Sequence, residues 1–167
     1  MIRRFFLPLL VGLLAFLPAA CDDSKSWKVA EGQPAPDFTL PDLDGRDVRL
    51  SSLKGHPVVI RFWSDWSPAC EEEMMAIEPI YSELKGQGLE VLSVNVGQHE
   101  QTARDFVAKL GVSYPTLHDR HSEVAGVYGV VDLPSTFFLN STGKVVGKIV
   151  GEAKDGEFVA LVKKAIS

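Results

Sequence analysis

Cysteine is nearly absent: Cys21 and Cys70 are the two in 167 residues. That excludes a disulfide-stapled scaffold, and the length admits one ordinary domain rather than two. A basic excess is also missing. Lys and Arg number 17 against 22 Asp and Glu, a net charge of −5. A nucleic-acid surface needs the opposite balance, so no nucleic-acid partner is expected. Internal repeats and low-complexity tracts are lacking, and a single long apolar run is present, from Phe5 to Ala20. A polytopic membrane protein and a disordered chain are thereby excluded. What remains is globular composition, 46% hydrophobic and 23% charged.

The apolar run follows a short basic start, Met1 to Arg4, and ends in Leu17-Pro18-Ala19-Ala20-Cys21. Basic, apolar and small-residue segments in that order read as a secretory signal. A cysteine just after the small residues resembles a bacterial lipobox, in which that cysteine is lipidated and becomes the mature N-terminus. Pro18 stands where a lipobox usually has leucine, and it equally spoils an Ala-x-Ala cleavage site. An uncleaved anchor is the third reading. Sixteen residues span about 24 Å as a helix, short of a hydrocarbon core of about 30 Å. All three readings put the domain outside the cytoplasm. The lipoprotein reading gives residues 1–20 as signal peptide, 21–34 as tether and 35–167 as the domain. Lipidated Cys21 then holds it on the periplasmic side of a bacterial envelope membrane. Loss of Arg3 and Arg4 leaves 15 basic residues against the same 22 acidic, a net of −7.

Within the domain, Phe38-Thr39-Leu40 and Val48-Arg49-Leu50 flank the turn dipeptide Asp44-Gly45, which predicts a β-hairpin. Pro57 to Trp63 is a β-branched and aromatic run, a strand buried on at least one face. Pro68 to Lys85 reads as a helix, with apolar residues at Cys70, Met74, Ile77, Tyr81 and Leu84. Pro79 should kink it, and Gly86 and Gly88 should end it. A strand is predicted over Leu89 to Val96, and helices over Glu100 to Leu110 and Ser122 to Tyr128. Strands over Thr136 to Leu139 and Val145 to Val150 meet at a turn, Asn140 to Gly143. Asp155 can cap a last helix to Ala165. This alternation predicts an α/β fold with helices flanking a central mixed sheet.

The informative stretch is Phe62-Trp63-Ser64-Asp65-Trp66-Ser67-Pro68-Ala69-Cys70, which leaves a strand and opens a helix. It resembles the thioredoxin active-site turn, Phe-Trp-x-x-Trp-Cys-x-Pro-Cys. It resembles more closely the TlpA/ResA-type extracytoplasmic thiol-disulfide oxidoreductases of the redoxin (AhpC/TSA) superfamily. Ala35-Pro36-Asp37-Phe38-Thr39-Leu40, Asp42 to Gly45, Leu53-Lys54-Gly55 and Glu73-Met74 carry the likeness along the chain. So do Tyr128-Gly129-Val130, Leu133-Pro134-Ser135-Thr136-Phe137 and Gly143-Lys144-Val145-Val146. The resemblance implies a thioredoxin-like fold with an N-terminal hairpin.

One departure dominates. Ser67 stands where the family has its first cysteine, the thiolate that attacks a substrate disulfide and is favoured by the helix N-terminus. A serine hydroxyl stays protonated and cannot make or break an S–S bond, so the dithiol cycle is expected to be lost. Cys70 matches the resolving position. Two readings stand for it: a thiol packed in the core, or a single reactive thiol. Arg61 stands where thioredoxins place a buried carboxylate. It either lies near Cys70 and favours the thiolate, or snorkels to solvent, or pairs with Asp65 or Glu73. Glu73 matches a family glutamate bordering the site and is alternatively an ordinary acid of the first helical turn.

Pro134 resembles the family's cis-proline, and that loop exposes a backbone edge to an extended peptide. Trp63, Trp66, Pro68, Leu133 and Pro134 are therefore candidate contacts to a client polypeptide or a redox partner protein. Either tryptophan could instead merely pack the fold. His118-x-x-His121 has metal-pair spacing without further ligands nearby, so a surface pair is expected. The copper-binding branch of redoxins uses two cysteines and a distant histidine, and Leu133 stands where that histidine is sought. Neither metal nor cofactor is expected. Three functions compete: an oxidoreductase with altered catalysis, a non-catalytic client-binding module, and a one-cysteine peroxidase. In the last, Ser67 takes the threonine role of Asp-Phe-Thr-x-x-Cys and Cys70 is peroxidatic. Trp63 in place of a proline and Pro134 in place of an activating arginine count against it.

Overall fold

The computed structural model describes residues 29–167; the expected signal segment, Cys21 and the start of the expected tether lie outside them. A hairpin of β1 (Thr39–Pro41) and β2 (Asp47–Arg49) comes first. The Asp42 carboxylate closes its turn by accepting the N–H groups of Asp44 and Arg46, at 2.8 and 2.9 Å. Then follow β3 (Val58–Trp63), α1 (Pro68–Leu84), β4 (Glu90–Val96), α2 (Glu100–Leu110) and β5 (Thr116–Asp119). The chain closes with α3 (Glu123–Val127), β6 (Ser135–Leu139), β7 (Val145–Val150) and α4 (Glu157–Ile166).

Five strands form one sheet in the order β5-β4-β3-β6-β7. β4 runs parallel to β3 and to β5, while β6 is antiparallel to β3 and to β7. This is the thioredoxin-like mixed sheet that the motif order predicts. β3 is buried along its whole length because both faces are covered. Val58, Ile60 and Phe62 enter a core with Phe38, Leu40, Tyr128 and Phe137 beneath the hairpin and α3. Val59 and Trp63 enter the opposite core with Cys70, Met74, Ile77, Ala103 and Val162 beneath α1, α2 and α4. The period-two alternation of a strand thus divides one sequence run between two cores. Arg61, between Val59 and Trp63, is carried into the second.

Pro79 lies inside helix α1, which runs to Leu84 as one element. A 3₁₀ turn, Lys85–Gln87, follows, and Gly88 at φ 92° stops it. The last helix is capped by Gly156 at φ 75°, not by Asp155. β5 is an additional strand; its sequence, Thr-Leu-His-Asp, has no apolar alternation to announce it. The turn before β7 is tied by the Asn140 side chain, which accepts the N–H groups of Thr142 and Lys144, each at 3.1 Å.

The chain reaches this sheet along the edge of β7. Gly32 N–H donates to the Val145 carbonyl at 2.7 Å, Val145 N–H to Gln33 at 2.9 Å and Ala35 N–H to Gly143 at 2.9 Å. The Tyr128 hydroxyl then fastens Pro36 through its carbonyl, at 2.7 Å.

Candidate functional site

Helix α1 begins one residue after Ser67, whose extended backbone (φ −96°, ψ 113°) turns the chain from strand into helix. Pro68 occupies the first turn, where its missing N–H costs nothing. The Ser67 side chain makes no capping hydrogen bond; its carbonyl accepts Cys70 N–H at 2.9 Å. Cys70 is completely buried in the core with Val59, Trp63 and Met74, and it is the free cysteine among the described residues. Of its two readings, the geometry matches the packed thiol.

Arg61 neither snorkels nor pairs with Asp65. Its side chain is 1% exposed, with Nη2 2.5 Å from Glu73 Oε2 and Nη1 donating to Thr136 Oγ1 at 3.0 Å. Glu73 accepts the backbone N–H of Ala153 with its other oxygen. One carboxylate therefore joins β3, α1 and the loop between β7 and α4. Arg61 lies across from Ser93 on β4 and Thr136 on β6, and Ser93 lies across from Thr116 on β5. A buried polar row thus crosses the sheet under α1. Nearby, Tyr114 donates to the Met74 carbonyl at 2.9 Å. Burial pushes its hydroxyl pKa far up, so it stays a neutral donor.

The two tryptophans part company. Trp63 is fully buried and stacked on Phe106, with ring centroids 5.1 Å apart, so the expectation of a client contact there is corrected. The reason is that both faces of β3 are covered; strand parity gives Trp63 the face it shares with Val59 and Arg61. Trp66 is 68% exposed on the turn between β3 and α1. The Leu133–Pro134 bond is cis, as the motif led one to expect. Pro134 itself is buried and its carbonyl accepts Gly151 N–H at 2.8 Å, which removes it from the contact surface. Leu133 is half-buried. Among the described residues its N–H and C=O make no backbone hydrogen bond. Pro68 is exposed beside Trp66.

Other residues of the site escape sequence reasoning. Asp65 is clamped by Gln98, whose amide oxygen accepts Asp65 N–H at 3.1 Å and whose amide nitrogen donates to the Asp65 carboxylate. Asn95 donates to the same Gln98 oxygen at 2.7 Å, and His118 Nε2 lies 2.8 Å from the Gln98 carbonyl. The expected surface histidine pair is corrected: His118 is buried in β5 and braces this loop, while His121 alone is exposed. Among the described residues no cluster of three metal-ligating side chains exists. Val131, 87% exposed, joins Trp66, Val96, Ala125, Val130 and Leu133 around a groove of about 470 Å³. The run Gly129-Val130-Val131-Asp132 ahead of Leu133-Pro134 held the only signal for it, apolar residues in a turn-rich stretch.

Comparison with known proteins agrees with this architecture. Residues 31–148 match the AhpC/TSA family. The chain is 38% identical over 149 residues to thiol-disulfide oxidoreductase ResA of Geobacillus thermodenitrificans, covering 89% of this chain and 86% of the relative. ResA of Bacillus subtilis is 36% identical over 138 residues, 81% of this chain and 77% of that one. A Chlorobium tepidum protein assigned as the thiol:disulfide interchange protein DsbE superposes with a TM-score of 0.74 at 26% identity. That superposition covers 81% of this chain and 99% of the other. With its thioredoxin-like sheet, its motif turn and its cis-proline loop, the chain belongs to the AhpC/TSA family, among the ResA-like thiol-disulfide oxidoreductases.

Proposed function

We propose that this chain is a membrane-tethered holder of extended client polypeptide in which the dithiol cycle of its family has been lost. One observation carries the reading: Ser67 occupies the attacking position while Cys70, the thiol behind it, is fully buried. In the dithiol cycle a first thiolate attacks a client disulfide and releases one client thiolate. A second thiolate then attacks the mixed disulfide, leaving an intramolecular disulfide and a reduced client. Ser67 supplies no sulfur for the first step. A peroxidase using Cys70 would need peroxide to reach that same buried sulfur. It would also need a free cation beside it, and Arg61 is engaged by Glu73. What supports a client surface is exposed Trp66 and Pro68 and, among the described residues, the unpaired backbone of Leu133. Pairing with that backbone and packing on the indole need no thiol. The tether is the part of the reading that rests on sequence alone, on the basic start, apolar run and Cys21.

Insulin reduction tests the reading. Wild type should show no activity above the uncatalysed rate, and Ser67→Cys, which restores a Cys-x-x-Cys pair, should gain it. Alkylation of Cys70 in folded wild type should be slow and should become fast only in denaturant. Insulin reduction by wild type at the rate of Ser67→Cys would falsify the loss of the cycle.

A further inference from the structure

We propose that the groove beside Trp66 selects an extended segment carrying an apolar side chain next to a lysine or arginine. The inference rests on the client-binding reading above and names the chemistry of the client. Its first support is an indole held outward. Trp66 is 68% exposed, yet the residue before it is fixed through Gln98 to Asn95 and His118. An exposed tryptophan on a braced turn loses little freedom on binding, which is the condition for an energetic anchor. The second support is the groove itself. Val96, Ala125, Val130 and Leu133 line it, and Val131 stands on its rim. Solvent-facing apolar residues gathered around one concavity mark an interaction site rather than scattered exposure. The unpaired N–H and C=O of Leu133 border it and favour an occupant in extended conformation.

Charge fixes the remaining choice. Among the described residues, Asp132 is the charged side chain lining the groove, and no lysine or arginine lines it. Its carboxylate is exposed and, among the described residues, forms no ion pair. Asp65, next to Trp66 in the turn, brings a second carboxylate, which accepts from the neutral amide of Gln98. A cation flanking the apolar side chain meets these carboxylates, and an anion is repelled.

The test uses the full-length protein and two capped hexapeptides, one alternating valine and lysine, the other valine and glutamate. Tryptophan emission is the readout, with Trp66→Phe to show which signal belongs to Trp66. The lysine peptide should bind wild type about tenfold more tightly than the glutamate peptide, with a preference that shrinks as salt is added. Asp132→Lys, which alters an exposed side chain, should invert the order. Equal affinity for both peptides would overturn the charge selection and leave the client-binding reading standing. No response to either peptide, with circular dichroism showing folded protein, would overturn both. A concentration-dependent Trp66 shift without peptide would give the groove to a second copy of this chain and overturn the proposal.

Discussion

Arg61 and Glu73 show what a buried charge demands of its neighbours. An arginine 1% exposed is tolerated because a carboxylate sits 2.5 Å away and Thr136 takes a second donor. Removing one member leaves the other uncompensated in a region of low polarity, whereas removing both with residues of similar volume is far milder. Arg61→Met should therefore lower unfolding free energy by about 3 kcal/mol. Arg61→Met combined with Glu73→Leu should recover most of that loss, and chemical denaturation of the four proteins in the cycle checks it. A double variant as unstable as the sum of the singles would show that the pair does not act as a unit. Much at this scale was legible beforehand: Ser67 and the cis bond at Pro134 follow from motif order. The partner of Arg61 was not. Asp65 and Glu73 are both near it in sequence, and only the packing of α1 against β3 decides between them. Nor was the burial of Trp63: parity decides which face of β3 it takes, and it is buried because both faces are covered.

At the scale of elements, α1 is the hub. Through Glu73 it holds the loop before α4, and through Glu78 it holds the loop before β5. Glu78 accepts Ser113 N–H and Ser113 Oγ, each at 2.7 Å. Burial alone would raise its pKa, but these bonds, with help from Ser82 and Lys85, outweigh it and hold the carboxyl below its usual value. A carboxylate lowered in the folded state adds stability above its unfolded pKa of about 4.3 and loses it as pH falls through the folded value. For Asp37 burial is again the largest single effect and acts upward, but Arg49 and Ser51 together outweigh it, so the pKa is lowered and the sign is the same. Thermal melts between pH 6 and pH 2 should show melting temperature dropping below about pH 4. Glu78→Gln should melt lower at pH 6 and show a smaller drop. A steeper drop in Glu78→Gln would contradict the assignment. The helices and the hydrophobic strands were readable from periodicity. β5 was not, because a short edge strand with Thr116, His118 and Asp119 takes its pairing from β4 rather than from its own pattern. The Gln98 brace escaped for the same reason: its partners come together only once Trp63, Asn95 and His118 share one register row.

For the whole molecule, the decisive relation is between the motif turn and the place where the chain joins the sheet. Ser67 follows the C-terminal end of β3. The contacts of Gly32 to Ala35 lie by the turn after β6, whose last residue, Leu139, pairs with Val58 at the opposite end of β3. Six strand residues separate the two ends by about 20 Å. A tether leading into Gly32 therefore leaves the Trp66 groove turned away from it. If Cys21 is the lipidated first residue, intact-mass analysis of membrane-extracted protein should show loss of residues 1–20 and a diacylglyceryl addition, the paired chains that stable anchoring needs. Retention of Met1 would contradict it. The way the chain joins the sheet also sets its mechanics. Traction on Val29 is delivered first to the exposed ion pair of Glu31 with Lys164 and to the two hydrogen bonds joining Gly32 and Gln33 to Val145. Under load these part before any bond of β3, so the domain should yield by baring the outer edge of β7 while the Trp66 turn, which follows the central strand, stays in place.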